Sequence, residues 1–218
     1  MEPYNLTVVQ SSVRPVVKAD GRFRPEVLRG NAEHAARLVR QGAAAFRSKL
    51  FVLPEFCLHG FELGVPTAAW LEAAITLPGP EIEPLCQAAR DTGAYVAGMA
   101  YERIPAFPGR FFNTAFIIDP QGEIALRYRK MYSLTGKTTP QDVYTEYCRL
   151  FGGPESLFPV LDTPLGRLGA LGGQQPSLVA SLGQAQVGVV LAQQQPVLGT
   201  PGHDAIGFRD LLGDQVVD

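Results

Sequence analysis

One segment, residues 113–130, restricts the possible folds of this chain more than any other. Its sequence is NTAFIIDPQGEIALRYRK, in which two strand-like runs flank Asp-Pro-Gln-Gly. Proline at the second position and glycine at the fourth are typical of a β-turn, so the segment predicts a β-hairpin. The second arm of this hairpin ends in three basic residues, Arg127, Arg129 and Lys130. Any fold proposed for the chain must therefore include antiparallel strands with cations at one end.

Four other segments predict strands. Residues 4–10 are rich in β-branched side chains and predict a buried strand, as does the short apolar run over residues 50–54; residues 94–103 predict a further strand. After the hairpin, a long loop over residues 131–156 leads to a strand pair over residues 157–171, which turns at Thr-Pro-Leu-Gly. The strands are thus distributed over most of the chain.

Two amphipathic helices separate the first three strands. The first begins at Pro25, a residue that fits the first turn of a helix, and the second covers residues 80–92. Apolar residues at three- or four-residue steps line one face of the first helix: Leu28, Ala32, Ala35, Val39, Ala43 and Phe46. Helices that alternate with paired strands predict an α/β layered fold.

The composition excludes several classes of protein. The chain has 218 residues, 46% of them hydrophobic, which is enough for one well-cored domain. A net charge of −2 with scattered basic residues gives no reason to expect nucleic acid or an anionic membrane as a partner. No apolar run approaches the roughly 18 residues of a membrane span, and the first residues do not resemble a secretory signal.

The cysteines are irregularly spaced. Cys57, Cys86 and Cys148 form neither a disulfide framework nor a metal-binding motif, and each is better interpreted as a small buried apolar residue. We therefore expect a cytoplasmic protein without metal or cofactor.

The composition changes abruptly near the end of the chain. From Leu168 to His203 there is no Asp, Glu, Lys or Arg, and seven glutamines fall in the same stretch. At the chain's average of 18% charged residues, about six would be expected there. The stretch remains compatible with a helix over residues 177–185 and a strand over residues 187–192.

Three charged residues are candidates for chemistry. Glu55 directly follows an apolar strand, and loops at strand ends often carry functional groups, although a lone carboxylate there can equally be solvated or cap a helix. Lys130 ends the hairpin, where a lysine is commonly an edge charge that discourages aggregation. Glu146 lies in the long loop and has no distinguishing feature of its own.

Three blocks of the sequence resemble successive blocks of the nitrilase superfamily. They are LPEFCLHGF around Glu55, NTAFIIDPQGEIALRYRK ending at Lys130, and FPVLDTPLGRLGAL. The blocks occur in the family's order, with a typical spacing of 75 residues between the two charged residues, and the resemblance runs from about residue 4 to residue 171. It implies a four-layer αββα sandwich whose subunits pair through helical layers, and therefore a homo-oligomer.

The resemblance also implies a reaction, the hydrolysis of non-peptide carbon–nitrogen bonds in amides, nitriles or carbamoyl compounds. In this family a cysteine thiolate attacks the substrate and forms a thioester. A glutamate transfers the protons and a lysine stabilises the oxyanion. Carried over, Glu55 is the base, Lys130 the oxyanion stabiliser, and Glu146 a second glutamate that helps to position the substrate.

The nucleophile is missing from the expected position. The family continues its GRLGAL-type strand into an apolar-Cys-aromatic-acid elbow, whereas this chain has GRLGALGGQQP. Gly173 therefore stands where the cysteine should be, and Gln175 where the acid should be. Because glycine has no side chain, acyl-enzyme chemistry cannot take place at that position as written.

Three explanations of this departure remain open. A frame change in the gene of an ordinary hydrolase would alter the sequence after Leu171, and the other two frames of the DNA would then encode the missing elbow. Alternatively, the chain is a natural pseudoenzyme that binds a small amide, a carboxylate or a partner protein. In the third explanation an active enzyme of altered mechanism recruits Cys57 or Cys148.

The expected domain is single, over residues 1–218, with an incomplete second half. Without the missing part, the central sheets would have uncovered apolar faces and open edges. We therefore expect self-association beyond a dimer, or poor solubility.

Overall fold

A mixed five-stranded sheet forms the first layer of the fold. The computed structural model describes residues 3–133 and 137–172, together with the backbone of residues 187–191. In spatial order, the strands of this sheet are β1 (Leu6–Val8), β2 (Leu50–Val52), β3 (Tyr95–Glu102), β4 (Phe112–Ile118) and β5 (Ile124–Arg129). β1, β2 and β3 are parallel to one another, whereas β4 is antiparallel to β3, and β5 to β4.

The predicted hairpin is confirmed as β4 and β5. Its turn closes with a hydrogen bond from the Gly122 N–H to the Asp119 carbonyl, at 2.9 Å. The Asp119 carboxylate accepts two more bonds, from the backbone N–H groups of Gln121 and Glu123. Gly122 has φ +80°, a conformation that favours glycine. The turn chemistry read from the sequence therefore fixes the pairing of β4 with β5.

Two helices cover the outer face of this sheet. The helices α1 (Pro25–Phe46) and α3 (Glu83–Thr92) confirm the two predicted helices and lie against each other. Most of the predicted apolar face of α1 is buried, but Phe46 is 61% exposed. The prediction for Phe46 was wrong because the helix ends at this residue, and Arg47 leaves it in a left-handed conformation.

The prediction of a buried first strand was also wrong. Only residues Leu6–Val8 form a strand, and the side chains of Leu6 and Val8 are 42% and 52% exposed. The cause is the position of β1 at the edge of the sheet, where β2 is its one partner among the described strands.

A second sheet packs on the inner face of the first. Its strands are β6 (Val160–Thr163), β7 (Gly166–Gly172) and β8 (Val187–Leu191), with β6 antiparallel and β8 parallel to β7. Apolar side chains of both sheets meet in one buried cluster that includes Met99, Ala115, Tyr128, Leu168 and Leu171. The described residues thus form a helical layer and two sheets, which confirms the α/β fold class. The helix predicted over residues 177–185 lies outside the described residues.

The prediction of a long loop over residues 131–156 was wrong in part. This stretch contains a helix, α4 (Tyr144–Phe151), between two short 3-10 helices, Pro140–Val143 and Pro154–Leu157. A seven-residue helix, α2 (Thr67–Ala73), was also missed. In the described part of the chain, no helix has the length and hydropathy needed to cross a membrane.

Candidate active site

Glu55 lies in the turn that follows β2, three residues after the strand ends. The chain turns directly after the strand, with a hydrogen bond of 3.0 Å from the Cys57 N–H to the Pro54 carbonyl. Glu55 is only 1% exposed although it carries a carboxylate. A buried carboxylate is costly unless it is paired, so its partners decide its role.

Glu55 is paired with Lys130, the residue with which it was predicted to share a site. The Lys130 ammonium donates to Oε1 of Glu55 at 2.7 Å, and the lysine side chain is 15% exposed. Lys130 follows β5 directly, and its backbone N–H donates to the Asn113 carbonyl at 2.9 Å. Register in the first sheet thus brings together two residues that are 75 positions apart in the chain.

Asn113, in β4, is a third member of the site that the sequence analysis missed. Its side-chain amide donates to the same Oε1 of Glu55 at 3.0 Å. Oε2 of Glu55 and Oδ1 of Asn113 are buried and have no hydrogen-bond partner among the described residues. Because buried polar atoms are nearly always satisfied, these two oxygens indicate where another hydrogen-bonding group should lie. The only available signal for Asn113 was a polar residue at the start of an apolar strand.

The loop after Glu55 is anchored by His59. The Tyr101 N–H donates to Nδ1 of His59 at 3.4 Å, so Nε2 carries the proton and donates to the Ala73 carbonyl at 3.1 Å. Burial lowers the pKa of His59 to about 4, which keeps the ring neutral. Burial, and then the negative charge of Glu55, raise the pKa of Tyr101. Glu55 thus lies close to neutral, tightly packed aromatic groups.

A buried ion pair supports the end of β5 next to Lys130. Arg129 donates to both carboxylate oxygens of Glu102, at 2.8 and 2.9 Å, and Thr114 donates to Oε2 at 2.7 Å. Arg129 also donates to the Tyr147 hydroxyl at 3.2 Å, and its guanidinium lies over the Phe151 ring. This network attaches α4 to the sheet beside the candidate site, and sequence reasoning did not find it.

Glu146 lies on α4 and is not joined to this site. Its side chain is 53% exposed and is paired with Arg149, one turn further along the same helix. The hydrogen bond and the positive charge of Arg149 lower the pKa of Glu146. In the described part of the chain, Glu146 contacts neither Glu55 nor Lys130. Its predicted part in positioning substrate stays a prediction.

Two of the cysteines are unsuited to act as nucleophiles. Cys57 is 2% exposed, and its thiol donates to the Met99 carbonyl at 3.4 Å. Burial raises the pKa of Cys57 to about 12 and that of Cys86 to about 11, so both remain protonated thiols near neutral pH. The interpretation of these two as buried apolar residues is confirmed. Cys148 is half-buried on α4.

The predicted nucleophile position, Gly173, lies outside the described residues. Its predecessor Gly172 ends β7 in close contact with the site, because a Cβ atom there would lie 2.6 Å from Cε of Met99 and 3.7 Å from Cδ of Lys130. A side chain at residue 172 would therefore require Met99 to move. No group of three or more His, Cys, Asp or Glu side chains within the described ranges is arranged to hold a metal ion.

The chain matches a protein family model and is similar to curated proteins and to solved structures. The family model described as carbon-nitrogen hydrolase matches residues 7–207, and so continues beyond residue 171, where the recognisable blocks stop. A formamidase from Bacillus thuringiensis (strain Al Hakam) is 39% identical over 85 residues, which is 38% of this chain and 24% of the formamidase. A formamidase from Bacillus cereus (strain Q1) matches equally well. This chain thus spans about a quarter of the length of the curated relatives it matches.

Solved structures resemble this chain in fold. An amidase of the nitrilase superfamily from Nesterenkonia has a TM-score of 0.61 at 19% identity, over 86% of this chain and 64% of the amidase. A carbon–nitrogen hydrolase from Helicobacter pylori has a TM-score of 0.60 at 18% identity, over 76% of this chain and 55% of the hydrolase. The family match covers most of the sequence, and the fold agrees with it. The chain belongs to the carbon–nitrogen hydrolase family.

Proposed function

We propose that Glu55, Lys130 and Asn113 form the base and oxyanion-binding half of a carbon–nitrogen hydrolase site that takes small non-peptide amides. The observation that carries this proposal is the asymmetric use of the Glu55 carboxylate. Oε1 accepts from both Lys130 and Asn113, at 2.7 and 3.0 Å, whereas Oε2 is buried and has no partner among the described residues. A held carboxylate with one free oxygen is suited to proton transfer.

Each residue has a defined task in this site. Oε2 of Glu55 would take the proton of the nucleophile and then pass it to the departing amine. The Lys130 ammonium would donate to the carbonyl oxygen as negative charge develops on it. Asn113 is a positioning residue, because its amide keeps Oε1 occupied and so directs the free oxygen of Glu55.

The nucleophile is the missing part of this proposal. Gly173 stands at the predicted nucleophile position and cannot form a thioester, and the Cys57 thiol is buried and protonated. We therefore propose that the chain, with glycine at residue 173, binds a small amide without covalent turnover. The paired carboxylate and ammonium of Glu55 and Lys130, together with the buried and protonated Cys57 thiol, favour this pseudoenzyme over an enzyme that recruits Cys57.

Amides are favoured over nitriles and carbamoyl compounds by the proteins that this chain resembles. The curated relatives are named formamidases. The Nesterenkonia amidase is described in complex with butyramide, and with covalent addition of the acetamide moiety of fluoroacetamide at its active site cysteine. The chain matches only part of each of these proteins, so amides are proposed as its substrate class by analogy with them.

Titration with butyramide, followed by NMR chemical shifts, tests the binding. A ligand of this size is expected to bind with a Kd on the order of millimolar. Lys130→Met should weaken binding about tenfold or more, because a hydrogen bond to a charged group is lost. Lys18→Met, at an exposed position, is the matched control and should bind as the wild type does. Equal affinity in the wild type and Lys130→Met, or no saturable shifts in either, would reject the proposal.

A further inference from the structure

A second cavity lies away from Glu55, at the ends of β3 and β5. Its volume is about 550 Å³, within the range of small-molecule sites. Arginines form its charged part, and Leu77, Ile104 and Phe151 contribute to its apolar part. Neither Glu55 nor Lys130 lines it. The cavity is therefore distinct from the candidate active site.

The lining of this cavity carries an excess of positive charge. Arg103, Arg127 and Arg129 give three positive charges, against one negative charge from Glu102. The Glu102 carboxylate is fully used, because Arg129 binds both of its oxygens and Thr114 binds one of them as well. Among the described residues, no carboxylate is paired with the guanidinium groups of Arg103 and Arg127.

Of these two residues, Arg127 gives the stronger evidence for an anion-binding site. It is half-buried on β5, two positions from Arg129 and therefore on the same face of the strand. It forms no ion pair or hydrogen bond with any side chain among the described residues, whereas Arg129 beside it makes three side-chain hydrogen bonds and lies over the Phe151 ring. Burial lowers the pKa of Arg127, the negative charge of Glu102 counteracts this in part, and the positive charge of Arg129 lowers it further. A partly buried guanidinium without a partner is costly, and an anion would offset that cost.

The other walls restrict what kind of anion fits. Leu77, Ile104 and Phe151 face the same space as the arginines. An inorganic anion would leave these apolar side chains in contact with water, whereas an organic anion would cover them. Arg103 is exposed at the rim, where its charge can attract an anion from solution.

We propose that this cavity binds a small organic carboxylate, with Arg127 as the residue that holds the carboxylate and Arg103 as a contributor at the entrance. The planar fork of a guanidinium matches a carboxylate with two parallel hydrogen bonds. The apolar part of the ligand lies against Ile104 and Phe151. This site does not depend on the proposed amide function, since the two share no residue.

Calorimetric titration of the full chain with benzoate, benzamide and inorganic phosphate tests the proposal. Benzoate should bind, and benzamide, which has the same shape without the charge, should bind at least about tenfold more weakly. Inorganic phosphate should also bind more weakly than benzoate, because it has no apolar part. Equal affinity for benzoate and benzamide, or for benzoate and phosphate, would overturn the assignment.

Four variants locate the site. Arg127→Met should weaken benzoate binding about tenfold or more, and Arg103→Met, at an exposed position that leaves the fold intact, should weaken it severalfold. Arg29→Met, an exposed arginine of α1, is the matched control and should have no effect. Lys130→Met distinguishes benzoate binding in the cavity from binding at the candidate active site. If Lys130→Met abolishes benzoate binding while Arg127→Met and Arg103→Met leave it unchanged, the carboxylate binds at the candidate active site and the proposal is wrong.

Discussion

Acidification should weaken the fold through His59, the residue that anchors the loop after Glu55. The pKa of this ring falls from its ordinary 6.5 to about 4 in the folded chain, because the ring is buried. In the unfolded chain the ring takes up a proton near pH 6.5, so protons bind the unfolded state preferentially between these values. Stability is therefore complete above pH 6.5 and is lost as the pH falls towards 4.

The size of this effect follows from the shift. A difference of one pKa unit corresponds to about 1.4 kcal/mol, so a fall from 6.5 to about 4 gives a loss of about 3 kcal/mol by pH 4. Other groups also titrate in this range, and the comparison of variants removes their contribution. His59→Gln has no ring to protonate, so its free energy of unfolding should depend less on pH by this amount.

Urea denaturation at several pH values between 7 and 4 measures the difference. The wild type should lose about 3 kcal/mol more than His59→Gln across this interval. His34→Gln, on α1, is the matched control and should follow the wild type. The same pH dependence in the wild type and His59→Gln would refute the reasoning, because the ring would then not be held neutral by burial.

Three further predictions concern the neighbouring ion pairs and the assembly. Lys130→Met should lower the free energy of unfolding by about 3 kcal/mol, because Glu55 is left buried without its cation. Urea denaturation measures this loss, and a loss under about 1 kcal/mol would contradict the prediction. Arg129→Met should release α4, so hydrogen exchange should accelerate at Tyr147 while α1 stays protected; unchanged exchange in α4 would contradict the anchoring role. Light scattering at micromolar concentration should detect self-association, because β1 is an edge strand among the described residues and exposes Leu6 and Val8; a clean monomer would contradict this expectation.

Local chemistry made much of the fold predictable. The hairpin follows from Asp-Pro-Gln-Gly, because the carbonyl and the carboxylate of Asp119 accept hydrogen bonds within the turn and Gly122 adopts a positive φ. Helix α1 follows from its apolar periodicity and from Pro25. The approach of Glu55 and Lys130 was inferred only from their blocks and spacing, since nothing in either residue's own neighbourhood indicates the other.

Features that depend on sheet order and register were not predictable. The exposure of Leu6 and Val8 results from the edge position of β1, which the β-branched residues of the segment do not reveal. Asn113 and the pair of Glu102 with Arg129 meet only because β3, β4 and β5 align in one register. Helix α4 was missed because prolines and glycines surround a helix of only eight residues, too short for a clear period.

Ammonia release from formamide, acetamide and butyramide, compared between the chain as written and its Gly173→Cys variant, tests the central claim most directly. The claim is that Glu55 and Lys130 form a working half of a carbon–nitrogen hydrolase site whose nucleophile is absent. We predict no release above the buffer blank for the chain as written, release by Gly173→Cys, and loss of that release when Glu55→Gln is added. Hydrolysis by the chain as written that survives Glu55→Gln, or an inert Gly173→Cys variant, would contradict the claim.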